Sequence, residues 1–223
     1  MKHLERENGD RTGTLHSFTV IPVLCCCVEL PVRIGYSKID GDAMLEGWKG
    51  SIMIEVREEL EKDRETIRRV NEQAFGQPAE ANIVDALRAN CPGLLSLVAL
   101  TGGRVAGHIL FSPVVIESGQ GPVTGMGLAP MAVLPEQQRQ GIGAELVRAG
   151  IARLRDRRCP FVVVLGHAGY YPRFGFERAS LHGIRSQWEG LPDEAFMIIL
   201  LDRPAMTGVS GVARFRSEFD VVV

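Results

Sequence analysis

The sequence predicts an α/β protein, α+β in some schemes, built on a mixed sheet. Three observations carry that reading. Phe161 to Leu165 is an unbroken apolar run, as expected of a strand covered on both faces. Gly141 to Arg155 sets Ile142, Leu146, Ala149 and Ile151 to Leu154 along one side, with Arg148, Arg153 and Arg155 toward water, which is the pattern of an amphipathic helix. Leu94 to Leu100 and Val105 to Phe111 are β-rich runs joined by Thr101-Gly102-Gly103, a hairpin signal. Strand, helix and strand in alternation give a mixed sheet with packed helices.

The remaining elements follow in order. Ile52 to Arg57 alternates as a strand. Glu59 to Phe75 can place Leu60, Ile67, Val70 and Ala74 on one helical face, and Ala81 to Ala89 does the same with Ile83, Val84 and Leu87. Cys91-Pro92-Gly93 ends that second helix. Ser118 to Gly125 reads as a glycine-rich loop. Gly127 to Leu134 reads as a strand with Pro130 inside it, and a proline there marks an edge or a bulge. Pro160 stops the long helix. Tyr170 to Phe174 fits a short helix, Arg178 to Ile184 a strand, and Ala195 to Leu201 another strand after the turn at Pro192-Asp193-Glu194. Val209 to Phe219 alternates and is expected to pack on the body. Residues 1–50 differ in composition and hold no helical period, so they are expected to form an N-terminal extension to a single domain over residues 51–223.

Composition narrows the function classes. The net charge is -2 and there is no basic tail, which disfavours a nucleic-acid partner. Phe18 to Val32 is apolar, but Pro22, Glu29 and Pro31 interrupt it well short of the roughly 20 residues a membrane span needs. Cys25, Cys26, Cys27, Cys91 and Cys159 form no CxxC pair, and the histidines show no paired spacing. No membrane partner, no metal and a cytoplasmic location are therefore expected.

The segment Leu134 to Ala144 joins a strand to a helix. Gly141 and Gly143 let the backbone turn tightly and approach a ligand closely. The first turn of a helix leaves N–H groups without internal partners, and these with the helix dipole suit a pyrophosphate. Arg139 can add a charge-assisted contact. A plain tight turn is the alternative reading of the same glycines. Neither the P-loop nor the dinucleotide fingerprint fits, for want of Lys-Ser or Lys-Thr after Gly143 and of a third spaced glycine.

Gln138-x-x-Gly141-x-Gly143 resembles the acetyl-CoA signature of the GCN5-related N-acetyltransferases, in particular their YhbS-like branch. The likeness extends through Leu128 to Val133 before the loop, then through Phe161 to His167 and Tyr170 to Phe176 after it. The resemblance implies a mostly antiparallel sheet, splayed between strands 4 and 5, with helices on both faces. It implies acetyl-CoA as co-substrate. The backbone of Met131, Ala132 and Val133 would bind the pantetheine arm. The amides of Gln138, Arg139, Gln140, Gly141, Ile142, Gly143 and Ala144 would hold the pyrophosphate, with His167 and Tyr170 near the cofactor. The acceptor would be a small-molecule amine or amino-acid derivative. A peptide N-acetyltransferase and a non-catalytic acyl-CoA sensor are the alternatives. Dimers occur often among such enzymes.

Attack of an amine on a thioester needs a neutral amine, a polarised carbonyl and a proton for the departing thiolate. In the resemblance, Tyr171 occupies the position of the thiolate-protonating tyrosine, and a phenol pKa near 10 suits that role. Packing aromatics are the other reading of Tyr170 and Tyr171. Glu72, near the end of the first long helix, is the candidate base; a surface carboxylate is its plainer reading. His108, His167 and Arg173 carry weaker versions of the same choice.

Overall fold

The computed structural model describes residues 53–222, and the expected extension over residues 1–50 lies outside them. The chain opens with strand β1 (Ile54–Glu58), followed by helices α1 (Arg64–Phe75) and α2 (Ala79–Asn90). The hairpin of β2 (Leu95–Thr101) and β3 (Arg104–Ser118) leads into β4 (Val123–Val133). Helix α3 (Ile142–Asp156) connects β4 to β5 (Phe161–Leu165). Four short strands complete the fold: β6 (Glu177–Arg178), β7 (Ile184–Ser186), β8 (Phe196–Leu200) and β9 (Gly211–Arg214).

The strands form one sheet in the order β1-β2-β3-β4-β5-β8-β6, with β9 against the far end of β3 and β7 against β9. Pairing is antiparallel except for β4 with β5 and β7 with β9. The sheet is thus mixed and mostly antiparallel, as the resemblance implies. The alternation of β5 and β8 explains its two covered faces. Val162, Val164, Met197 and Ile199 point to the α3 side, where they join Leu146, Val147 and Ile151. Phe161, Val163, Leu165, Phe196 and Ile198 point to the opposite side. On that same opposite face, α1 and α2 cover Val98, Leu100 and Leu110 through Ile67, Ile83, Val84 and Leu87.

The contact between α3 and the sheet is close enough to need a glycine. A Cβ on Gly150 would lie 2.3 and 2.4 Å from ring carbons of the fully buried Phe111. Alanine normally stabilises a helix interior over glycine by about 1 kcal/mol. Here overpacking, typically about 1–3 kcal/mol or more, outweighs it. Gly150→Ala is therefore expected to lower the melting temperature by about 2–6 °C in a thermal melt.

Two expectations need correction. Ser118 to Gly125 is not a loop: β3 runs through Ser118 and β4 resumes at Val123, leaving a short turn. Gly125 and Gly127 are strand residues at close approaches, where a Cβ would lie 2.6 Å from the Phe161 carbonyl and 2.7 Å from the Phe215 ring. Arg178 to Ile184 is not one strand either. After β6 it forms a 3₁₀ turn over Ala179–His182, ended by Gly183 at φ 66°, before β7 begins.

The sheet parts in its middle. β4 and β5 pair at Met126–Val162, Gly127–Val163 and Leu128–Val164. Met131 of β4 lies opposite Ile109 of β3, and Leu128 opposite Phe111, so β4 takes one extra residue at Ala129-Pro130. That bulge turns β4 away from its parallel neighbour. Beyond it, Met131, Ala132 and Val133 keep their register with β3 alone among the described strands. On the other side, Gly166 N–H bonds to Ala195 O at 2.9 Å, which turns the chain after β5 toward β8.

Candidate active site

Three pieces meet at the splayed end of β4 and β5: the strand end Met131–Val133, the start of α3, and the turn after β5. The connection from β4 to α3 is held in place by side chains. A 3₁₀ turn at Pro135–Gln137 begins it, and Thr101 Oγ1 donates to Gln137 Oε1 at 2.6 Å, pinning the turn to the β2–β3 hairpin. Gln138 Nε2 donates to the carbonyl of Val133 at 3.1 Å, tying the signature residue back to the strand end. Gln140 Nε2 donates to Glu136 O at 3.2 Å. Arg139 takes φ 62°, an uncommon conformation for a side-chain-bearing residue.

Gly141 is the N-cap of α3, at φ 88° and ψ -6°, in the left-handed region that favours glycine. A Cβ there would meet nothing within 4 Å, so open space lies beside the helix start. The first α3 bond runs from Glu145 N–H to Gly141 O at 3.0 Å, which places the amides of Ile142, Gly143 and Ala144 in the turn that an α-helix leaves without intrahelical acceptors. Their orientation and the dipole suit a diphosphate. The residues therefore fit coenzyme A on geometry: a glycine-formed cradle opens beside a strand that has left its parallel neighbour.

Tyr171 opens the 3₁₀ turn Tyr171–Phe174 and is fully buried. Its ring stands edge-on to Tyr170 at 5.1 Å and to Phe176 at 5.5 Å. It also lies so close to Gly166 that a Cβ there would sit 2.3 Å from its Cε2. The turn after β5 thus fixes the phenol ring. Tyr170 is buried too, with the Arg173 guanidinium 4.2 Å from its ring centroid and Arg173 Nε donating to its carbonyl at 2.9 Å. His167 is exposed at the same turn, where its carbonyl accepts from Tyr170 N–H at 2.9 Å.

Glu72 lies on α1. Its carboxylate lies 3.0 Å from Arg68 Nε, and Arg68 also reaches Asp85 and Asn82 of α2. It is one member of an ion-paired surface between the two helices.

The sequence gives no sign of a polar cluster beside the free end of β4. His108 of β3, opposite Ala132, is fully buried and contacts Asn71 of α1 at 3.2 Å and Ser96 of β2 at 3.0 Å. Ser96 donates to Glu59, which Arg88 grips through Nε and Nη2, each at 2.8 Å. Thirty-seven residues separate the members of the Asn71–His108 pair, too far for any local pattern to reveal it. Burial, reinforced by the Arg88 charge and opposed by Glu59, pulls the His108 pKa down from the usual 6.5 to about 3.

Between pH 6.5 and about 3 the unfolded chain binds a proton at His108 that the folded chain refuses. Stability from this group is therefore fully present above pH 6.5 and falls by about 1.4 kcal/mol per unit as the pH drops through that window. Glu59, where burial is outweighed by the Arg88 and Ser96 hydrogen bonds, and Asp63, held low by Arg57, add the same sign as the pH falls through the ordinary carboxylate range. Urea unfolding at pH 7.5, 6.5, 5.5 and 4.5 checks this. His108→Gln is expected to flatten the slope above pH 4.5.

The geometry defines a class: a mixed, mostly antiparallel sheet whose two parallel strands part beside an open helix start. The sequence profile of the Acetyltransferase (GNAT) family matches residues 55–176, and the chain belongs to that family. It is 34% identical over 166 residues to the uncharacterized N-acetyltransferase YhbS of Escherichia coli K12, covering 74% of this chain and 98% of YhbS. A second E. coli relative, the uncharacterized N-acetyltransferase YjhQ, is 44% identical over 117 residues; the match spans 52% of this chain and 65% of YjhQ. The crystal structure of E. coli YhbS in complex with CoA superposes with a TM-score of 0.70 at 32% identity, covering 78% of this chain and 96% of that one. A GNAT family acetyltransferase from Brucella melitensis in complex with acetyl-CoA gives 0.60 at 37% identity, covering 76% and 99%. Within the family the chain falls in the YhbS-like branch. Among the described residues, no helix is long and apolar enough to cross a membrane.

Proposed function

We propose that this chain transfers an acetyl group from acetyl-CoA to the primary amine of a small molecule or amino-acid derivative. One observation carries the reading: β4 and β5 part beyond Leu128 and Val164, directly beside a helix that starts on a left-handed glycine. Bound CoA or acetyl-CoA in the two solved relatives supports the choice of cofactor.

Acetyl-CoA supplies an activated thioester carbonyl. In this reading the first-turn amides of α3 bind its diphosphate, and the backbone of Met131–Val133 lies along the pantetheine arm. The attacking amine nitrogen bonds to the carbonyl carbon as the carbon–sulfur bond breaks. Tyr171 gives its phenolic proton to the departing sulfur and regains one after CoA leaves. The amine proton leaves through water. Gln138 holds the strand end and the cradle in register through its bond to Val133.

The test is direct. The full chain is incubated with acetyl-CoA and a library of small amines, amino-acid derivatives and short peptides, and free thiol is followed. Thiol release with small amines or amino-acid derivatives is expected. Release with peptides alone would move the acceptor to the protein class, and tight binding without turnover over the whole library would make the chain a sensor.

A further inference from the structure

The strand end Met131–Val133 has a sheet neighbour on one side only among the described strands, yet in the reading above it must hold a flexible cofactor arm. A one-sided strand needs support from behind. That support is the polar cluster centred on His108, the cross-strand partner of Ala132.

The hydrogen positions in the cluster can be worked out from its acceptors. Asn71 Nδ2 donates to the carbonyl of Ile67 at 2.9 Å, and a carbonyl only accepts, so that atom is the amide nitrogen. The same nitrogen faces His108 Nδ1 at 3.2 Å. Nδ1 is therefore the bare nitrogen and Nε2 carries the proton. Nε2–H then donates to Ser96 Oγ at 3.0 Å, which leaves the Ser96 proton for Glu59. The Glu59 carboxylate ends the chain against Arg88, whose Nη1 also pairs with Asp85 at 2.8 Å. From Asn71 through His108 and Ser96 to Glu59 each donor points the same way, and Arg88 donates to Glu59 from the far end.

We infer that His108 is a positioning residue of the cofactor strand, clamping α1 and β2 through Asn71 and Ser96 to β3, the strand that backs Ala132 of β4. The inference rests on the proposed binding of acetyl-CoA along that strand. His108 is not the base that takes the amine proton. A proton on Nδ1 would face the Asn71 amide hydrogen, and gaining it would break the tie to α1. The buried ring stays neutral, in keeping with its low pKa.

The test pairs spectroscopy with binding on the full chain. With ¹⁵N-histidine labelling, the His108 ring signals are identified by their loss in His108→Gln. They are expected to report a bare Nδ1 and a protonated Nε2, unchanged from pH 5 to pH 9. A protonated Nδ1, or a titration in that range, overturns the inference. Calorimetry with CoA then compares the wild type with three variants. His108→Leu, which makes neither bond, is expected to weaken CoA by about tenfold or more. His108→Asn can offer an acceptor to Asn71 and His108→Gln a donor to Ser96, so each should recover part of the loss. Loss of melting temperature with CoA affinity unchanged in the folded Asn and Gln variants would reduce His108 to a packing residue. Should His108→Leu fail to fold, those two variants and the wild-type spectrum still decide. A wild type that does not bind CoA overturns the proposed function itself, a result separate from CoA binding that His108 substitutions leave untouched.

Discussion

Tyr171→Phe is expected to cut turnover by about 10²- to 10⁴-fold while leaving CoA affinity and the fold in place. The substitution removes one oxygen and keeps the ring. The edge-on contacts to Tyr170 and Phe176 and the close approach to Gly166 all involve ring atoms, so packing survives. What is lost is the proton for the departing sulfur. A thiolate can leave without it, but less readily at neutral pH, and the reaction then relies on water. Steady-state thiol release, with calorimetry of CoA in parallel, separates the outcomes. Equal turnover in Tyr171→Phe would remove Tyr171 from the chemistry and leave it as an aromatic of the α3-side core.

Gly141→Val is expected to weaken CoA binding by at least about tenfold. Two effects add. The backbone at φ 88° is one that a β-branched residue tolerates poorly, at about 1–3 kcal/mol. Valine also points its side chain into the open space beside the helix start, where the ligand would lie. The first effect lowers stability and the second does not, so a melt and a titration tell them apart. Gly141→Ala, which adds only a methyl group, should retain more affinity than valine. Unchanged CoA affinity in Gly141→Val would mean that the diphosphate is held elsewhere.

Much of the scaffold could be read from residue pattern. The amphipathic period after Gly141 and the apolar run from Phe161 are strong signals because both elements are buried along their length, so packing forces the pattern. Pro130 signalled the distortion of β4, since a proline cannot donate to the ladder. Glycine misled the reading at residues 118–125. Gly125 looks like a loop residue in sequence, yet its missing side chain makes room for Phe161 within a strand. The region 178–184 misled it in the opposite direction. The run expected as one strand breaks into a 3₁₀ turn over Ala179–His182, on which Leu181 is 60% exposed.

For the candidate site, the helix start was legible because its shape is set locally. Gln138, Gly141 and Gly143 must lie close in sequence to shape one helix start. The bond from Gln138 to Val133 gives the glutamine a structural reason to be there that the motif alone does not supply. The cluster of Asn71, His108, Ser96 and Glu59 was not legible, because its members come from different elements and meet only after the sheet forms. Glu72 was drawn into consideration by its place in the chain, and its carboxylate pairs with Arg68 of the same helix.

The measurement that bears most directly on the account is a titration of the ¹⁵N-labelled full chain with CoA, followed by amide spectra. The amides of Gly141, Ile142, Gly143 and Ala144 are expected to show the largest saturable shifts, with Met131 and Val133 moving at the same ligand concentration. Saturable binding that shifts residues elsewhere and leaves the start of α3 unmoved would contradict it.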